Sequence, residues 1–468
     1  MENFTFYNPA KIIFGKGTEN QVGKEMKKLG SRVLLVYGGG TIKRIGLYDT
    51  VVKSLNAENI SFVELGGVQP NPRLKLVKEG IKLCREHKLD AILAVGGGST
   101  IDTAKGIAAG VNYDGDVWDF YERKAGPDEA LPIGVVLTIP AAGSESSMGS
   151  VITKEEGLLK RSCGNVSMIP KFAIMNPEFT FSLPSYQTAC GASDILAHLM
   201  ERYFTQVEHV DFTDRLIEAT MKTVIDYAPL AIKEPENYDV RAEIMWAGTI
   251  AHNSLLNTGR LGDWGSHQIE HEISAIYDIA HGAGLSIVFP AWMKYVCHEN
   301  MDRFVQFAVR VFDVNMTLTD KELVVKQGIQ KLEEFYYSLG LPVYLHEVDI
   351  PDDRLKEMAE KCCRKGPQGA LATATIRAAC ATARTLPPSS TSWASATSIP
   401  HTPWQSLAPA TLLTTASTSQ YGLSTNSPKS STTWSSSADS LTASTQQPTR
   451  QLSTPTCPPW ACWLTAST

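Results

Sequence analysis

The first 184 residues alternate short apolar runs with stretches of helical period. RVLLVY (32–37), ISFVEL (60–65), AILAV (91–95) and LPIGVVLTIP (131–140) read as strands. Between them IGLYDTVVKSLNAE, PRLKLVKEGIKLCREHKL and IDTAKGIAAG carry apolar residues at helical spacing. Strand, glycine turn and helix in rotation predict a parallel, doubly wound, Rossmann-like sheet. From about Ser185 the pattern changes. TACGASDILAHLMERYF, VDFTDRLIEATMKTVIDYA and DVRAEIMWAGTIAHNSLLN are all helical in period, with no strand between them. The chain therefore divides into an α/β domain, residues 1–184, and an all-α domain, residues 185–371.

A third style begins at residue 372. From there on Arg377, Arg384, Lys429, Arg450 and Asp439 are the only charged side chains, and the rest is mostly Ser, Thr, Ala and Pro. Such a composition lacks the apolar periodicity that offsets ordering entropy, so the tail 372–468 is expected to be disordered. Yet it holds five of the nine tryptophans, which disordered linkers avoid. An out-of-frame translation beginning shortly after GPQGAL accounts for both observations, and the coding DNA tests it.

Charge and cysteine use narrow the class. The formal net charge of -6 provides no basic surface for nucleic acid. No apolar stretch is long enough for a membrane span, and the N-terminus shows no basic region followed by an apolar one. Scattered cysteines without a CxxC pair read as reduced thiols in a cytoplasmic protein.

Two glycine turns carry the first candidate chemistry. In VGGGSTIDTAK, Gly96, Gly97 and Gly98 let backbone approach a ligand, while Ser99 and the first helix amides can donate to phosphate oxygens. Asp102 follows as a first-turn acid. One GGGS would read equally well as a plain tight turn, but YGGGT (37–41) repeats it after a neighbouring strand. Neither turn is the GxGxxG fingerprint. Gly38, Gly39 and Gly40 stand where an acid would bind an adenosine ribose, and Thr41 and Lys43 could donate to a phosphate. This favours NADP(H), with NAD(H) remaining open.

The second candidate is a metal constellation. Asp194 and His198 are four apart in DILAHLMERY, so they share a helix face. His267 and His271 repeat that spacing in SHQIEHEISAIYDIAHG, and His281 follows before Gly282. Imidazoles and one carboxylate suit Zn²⁺ or Fe²⁺ with an open position. HQIEH also fits the H-x-x-E-H pattern of a zinc peptidase family, with Glu270 as base. That alternative gives no role to the glycine turns, Asp194 or His198. His252 and His298 are left as structural residues.

Together these motifs resemble the iron-containing (group III) alcohol dehydrogenases, butanol dehydrogenase-like branch. The resemblance rests on FYNPAKIIFGKGT, GVQPNP, AVGGGSTIDTAK, TIPAAGSESS, the DILAH helix and HQIEHEISAIYDIAHG, and spans about residues 3–370. It implies metal ligands Asp194, His198, His267 and His281, and places His271 beside the nicotinamide and substrate. Cofactor contacts are implied at Asn71, Gly97, Gly98, Ser99, Thr138, Ser147 and Lys160, and a homodimer is expected. The implied reaction is hydride transfer between NAD(P)(H) and a short-chain primary alcohol or aldehyde such as butanol or butanal. His271 is expected to relay the proton, because an unperturbed imidazole titrates near neutrality. Glu270 is then left as an ordinary helix-surface acid. A polyol dehydrogenase or a dehydroquinate synthase-like lyase on the same scaffold stays open, as does a folded but inactive cofactor-binding protein.

Overall fold

The computed structural model describes residues 1–315 and 320–362. The tail expected at 372–468 and the last residues of the helical domain lie outside the described residues. Eight strands precede Ser185: β1 (Lys11–Phe14), β2 (Arg32–Tyr37), β3 (Ser61–Leu65), β4 (Ala91–Gly96), β5 (Ile133–Leu137), β6 (Gly149–Lys154), β7 (Leu159–Gly164) and β8 (Phe172–Met175). Six of them form one sheet in the order β1-β8-β5-β4-β2-β3, with every pairing parallel. β4 and β5 are buried along their whole length, as strands covered by helices on both faces must be.

The strands expected at 32–37, 60–65, 91–95 and within 131–140 all form. β1 and β8 were not anticipated, since KIIF and FAIM are too short to show a period. The antiparallel hairpin β6–β7 was also missed, because its sequence is mixed in polarity. It closes through a turn in which Gly157 takes a left-handed φ of 82°. Its register pairs Thr153 with Lys160 and Ile152 with Arg161, and so delivers both basic side chains to the helical half.

Helices dominate from Ser185 onward. The helix Ser185–Tyr203 runs through the centre of this half, and every residue from Gly191 to Tyr203 is buried. Ile217, Met221, Phe289, Phe307 and Tyr336 of neighbouring helices enclose its apolar residues, while Asp194, His198, Glu201 and Arg202 are buried polar positions on it. This rigid, buried helix carries Asp194 and His198. The helices Gly265–Tyr277 and His281–Val296 supply the remaining histidines.

Polar contacts tie the two halves together. Arg161 pairs with Glu272 at 2.6 Å and Arg73 with Asp278 at 2.9 Å. The Thr249 hydroxyl donates to Glu145 at 2.6 Å. The expected boundary at 184/185 falls just before the long helix, and the described residues on both sides of it belong to one compact unit.

A candidate metal and dinucleotide site

β2 leads outward to β3, whereas β4, its neighbour, leads the other way to β5. The carboxyl ends of β2 and β4 therefore form the switch point at which open α/β sheets bind ligands. Both glycine turns lie there. Gly96 has no room for a side chain, since a Cβ would stand 2.4 Å from Thr100 Oγ1. At Gly39 and Gly40 a Cβ would meet nothing within 4 Å, so the first turn is open. Gly97 caps the helix Gly98–Gly110, with partly exposed Ser99 in its first turn. Thr41 starts a short helix, and the ammonium of Lys43 lies over the rings of Tyr37 and Tyr48 at 5.1 and 4.6 Å. Both tyrosine hydroxyls donate to Glu64 at 2.6 Å, which fixes the rings.

The remaining residues expected to touch cofactor are held by internal bonds. Both carboxylate oxygens of Asp102 are engaged, one by the Ser144 hydroxyl at 2.6 Å and the other by the Val151 amide at 2.8 Å. Asp102 thus braces the 144–151 segment. Ser147 is buried, and its carbonyl accepts from Lys105, as does that of Gly149. Burial lowers the fully enclosed Lys105 amine to about 8. Thr138 sits just past β5, its amide donating to the Gly96 carbonyl. Asn71, at a left-handed φ of 51°, spans the halves: its amide nitrogen donates to Asp278 and to the Ile279 carbonyl. Its amide oxygen accepts from Lys160 at 2.9 Å. Asn71 and Lys160 therefore lie toward the histidines rather than beside the glycine turns.

Among the metal candidates, ligand atoms of Asp194, His267 and His281 lie within 4.8 Å of one another. Nε2 of His267 and Nε2 of His281 are each 3.9 Å from Asp194 Oδ1. His198 stands beside this trio, its ring 4.7 Å from that of His267, but its ligand atoms fall outside the close set. Its Nδ1 donates to the Asp194 backbone carbonyl at 2.9 Å, which leaves the lone pair on Nε2. Burial alone would push the Asp194 carboxyl up, but His198, His281 and His267 bring it to about 2. Asp194 Oδ1 and His267 Nε2 are both buried without a hydrogen bond of good geometry, and the nearest donor to Asp194 Oδ1, His198 Nδ1 at 3.2 Å, is directed to the Asp194 backbone carbonyl. Two such atoms facing each other in a dry interior are costly unless a cation lies between them. Imidazole nitrogens with one carboxylate suit a divalent iron or zinc ion. The residues fit the group.

Glu270 is not a helix-surface acid. It is fully buried; Oε2 meets His281 Nδ1 and, at 3.4 Å, Lys160 Nζ, while Oε1 accepts from the Ser274 hydroxyl. Burial opposes its ionisation, yet His281 and Lys160 hold it below the usual carboxylate range. Its partners His281 and Lys160 lie elsewhere in the chain, so the local pattern around Glu270 could not show this. Glu201 was missed too, although it lies three residues beyond His198 on the same helix. It accepts from His267 Nδ1 at 2.8 Å, and burial pushes its carboxyl above the usual range.

His271 lies on the same helix as His267, its ring 5.6 Å from that of His281. Burial, Lys160 and His281 push its imidazole well below the ordinary range, contrary to the expectation of titration near neutrality. At neutral pH it is an acceptor, not a donor, of protons. His252, set aside in the sequence, packs its ring 4.2 Å from His198, and its Nδ1 accepts from Arg202 at 3.1 Å. His298 pairs with Glu299 at a half-exposed position away from this group. Trp264 was legible from no motif: it takes a left-handed φ of 65° at the start of its helix. Its ring stands 5.4, 5.6 and 6.0 Å from those of His267, His252 and His198.

A dinucleotide crevice at a sheet switch point, next to a histidine–carboxylate cation site, defines a nicotinamide-dependent, metal-assisted oxidoreductase. The chain belongs to the iron-containing alcohol dehydrogenase family: residues 9–177 match that family, and residues 188–377 match its C-terminal part, described as "Fe-containing alcohol dehydrogenase family, C-terminal". It is 47% identical over 369 residues to a probable NADH-dependent butanol dehydrogenase of Bacillus subtilis, covering 79% of this chain and 95% of that one. It is 35% identical over 364 residues to an NADPH-dependent aldehyde reductase of Escherichia coli, covering 77% and 93%. Its fold is similar to the crystal structure of NADH-dependent butanol dehydrogenase A from Thermotoga maritima. There the TM-score is 0.79 at 39% identity, over 82% of this chain and 99% of that chain.

Proposed function

We propose that the protein interconverts short-chain primary alcohols and aldehydes, such as butanol and butanal, using a divalent metal and a nicotinamide dinucleotide. The observation that carries this reading is the pair of buried, unpartnered atoms, Asp194 Oδ1 and His267 Nε2, 3.9 Å apart in the half of the protein that faces the glycine crevice. Asp194, His267 and His281 would hold Fe²⁺ or Zn²⁺, with His198 beside them as the fourth candidate ligand. When bound, the cation supplies a Lewis acid for the substrate oxygen, and the nicotinamide accepts or delivers the hydride.

The chain's own residues do the rest. Gly39, Gly40, Gly97, Gly98 and Ser99 admit and orient the dinucleotide along the switch point. Trp264 walls the site above the histidines and excludes water from it. During oxidation His271, neutral at working pH, accepts the alcohol proton and relays it to solvent.

The open first turn carries no acid, and Lys43 is fixed nearby by two rings, which favours NADP(H) while leaving NAD(H) usable. The relatives named above include both NADH- and NADPH-dependent enzymes. A homodimer is the proposed assembly: the edge strand β1 ends in exposed Phe14, packed edge-on to exposed Trp246, near the exposed aromatics Phe4, Phe6 and Tyr7. A cytoplasmic location is proposed from the reduced Cys84, Cys163, Cys190 and Cys297. No helix among the described residues is long and apolar enough to cross a membrane.

Purified protein supplied with Fe²⁺ or Zn²⁺, NADPH or NADH, and butanal tests the reading through loss of nicotinamide absorbance. Turnover supports it; no turnover with either metal or either cofactor overturns it. The peptidase alternative has no supporting geometry, since both oxygens of Glu270 are engaged inside the protein.

A further inference from the structure

Each of the two histidines that face Asp194 through Nε2 has a buried carboxylate on its other nitrogen. For His267 the partner is Glu201, 2% exposed, whose Oε1 lies 2.8 Å from Nδ1. The same oxygen accepts the backbone N–H of His267 at 2.9 Å, and an amide can only donate. That oxygen is therefore an acceptor, Nδ1 carries the proton, and the lone pair on Nε2 points at Asp194. For His281 the partner is Glu270, wholly buried, whose other oxygen is occupied by Ser274. Lys160, delivered by the β6–β7 hairpin, stands 3.4 Å from Glu270 Oε2 and 3.3 Å from His281 Nδ1, and is anchored to Asn71.

Neither carboxylate serves as a ligand in this arrangement. Glu270, His271 and His281 do lie close enough to suggest a second cation site. However, Glu270 Oε2 is already shared between an imidazole N–H and an ammonium, so a second cation there would have to displace both.

We propose that Glu201 and Glu270 are positioning residues for the metal, each fixing one histidine ring and its tautomer so that Nε2 is the donor atom. A carboxylate behind a ligating imidazole also makes that imidazole more basic, and its loss typically weakens metal binding tenfold to a hundredfold. The second pair has a wider reach: through Lys160 and Asn71 it links His281 to the dinucleotide half of the protein. The inference rests on the reading that Asp194, His267 and His281 hold a metal.

The test uses the full chain as wild type, Glu201→Ala, Glu201→Gln, Glu270→Ala and Glu270→Gln. Zn²⁺ affinity is measured by competition with a chromogenic chelator, and geometry by the visible d–d absorption of the Co²⁺ form. Thermal melts of the metal-free proteins report folding. Each Ala variant is expected to bind Zn²⁺ about tenfold to a hundredfold more weakly, with an altered Co²⁺ band. Each Gln variant, which keeps an acceptor oxygen but loses the charge, is expected to recover part of that loss while still shifting the band. A residue that only supported the fold would lower the melt and leave the Co²⁺ band of the folded fraction unchanged. If an Ala variant does not fold, the Gln variant decides: wild-type affinity with an unchanged band overturns the assignment. If wild type itself takes up no Zn²⁺ or Co²⁺, the metal reading fails and the positioning role with it. Wild type that loads, beside Ala variants that load equally well, overturns the positioning role alone.

Discussion

Trp264 enters its helix at a φ of 65° and in doing so sets its ring 5.4 Å from that of His267. A non-glycine residue in this region costs about 1 kcal/mol or more, so the conformation persists because packing enforces it. The Arg202 guanidinium also packs on the ring, 4.7 Å from its centre. The ring also limits the room above the histidines. Trp264→Ala is expected to improve kcat/KM for bulkier aldehydes about tenfold relative to butanal. Trp264→Gly should be more stable than Trp264→Ala by about 1 kcal/mol, since glycine adopts the left-handed region freely. Steady-state kinetics across an aldehyde series and chemical denaturation of both variants check the two parts.

Replacing His267 by Ala removes one of the two unpartnered atoms that face each other, whereas replacing His271 removes none. His267→Ala is therefore expected to lose bound metal after dialysis, and His271→Ala to keep one equivalent. Elemental analysis distinguishes them; equal loss in both variants would revive the reading of HQIEH as a paired-ligand motif.

The pH dependence of alcohol oxidation should report His271. Its imidazole sits well below the ordinary histidine range, because burial, Lys160 and His281 disfavour the charged form. A proton acceptor must be neutral, so oxidation is expected to hold through neutral pH and to fall only as pH drops through that depressed value. His271→Ala should lower kcat roughly tenfold to a hundredfold and abolish this acid limb. Profiles of kcat/KM for butanol from acid to alkaline pH check it; an unchanged limb in the variant rules out the role.

Cofactor choice should turn on the first glycine turn. Lys43→Ala is expected to lower kcat/KM for NADPH about tenfold and leave NADH nearly unchanged, because only the former brings a second charged phosphate to this end. Gly39→Asp, at an open position, should reverse the preference by repelling that phosphate. Paired kinetics with the two dinucleotides decide the matter.

Lys105→Met keeps the length of the side chain but removes the donor that satisfies the carbonyls of Ser147 and Gly149. Buried acceptors left without a donor cost about 1–3 kcal/mol each, so a stability loss of about 2–4 kcal/mol is expected. Denaturant titration measures it, and a raised KM for the dinucleotide should accompany it.

The sequence carried the fold wherever a period could develop. RVLLVY and AILAV became β2 and β4 because buried parallel strands are apolar throughout, while KIIF and FAIM are too short to declare themselves. Asp194 with His198, and His267 with His271, were legible as candidates at helical spacing, His281 following them; only the family resemblance singled out Asp194, His198, His267 and His281 as the ligand set. What spacing could not show was which face of each ring would be turned inward, so Glu270 was read as a helix-surface acid and Glu201 was not singled out at all. The depressed titration of His271 was hidden for the same reason: it depends on Lys160, more than a hundred residues earlier in the chain, and on the enclosure that the folded helices create. The left-handed backbone at Trp264 has no local signature at all.

The charged straps between the halves have a consequence for how ligands arrive. Lys160 and Glu270 are almost wholly enclosed, and Arg161 and Glu272 nearly so. Separating the two halves would break both pairs, so Lys160, Glu270, Arg161 and Glu272 rivet the halves together beside His281. A ligand that reaches the histidines therefore enters between halves already joined at that end, and Gly39 and Gly40, where a Cβ would meet nothing within 4 Å, mark the open side.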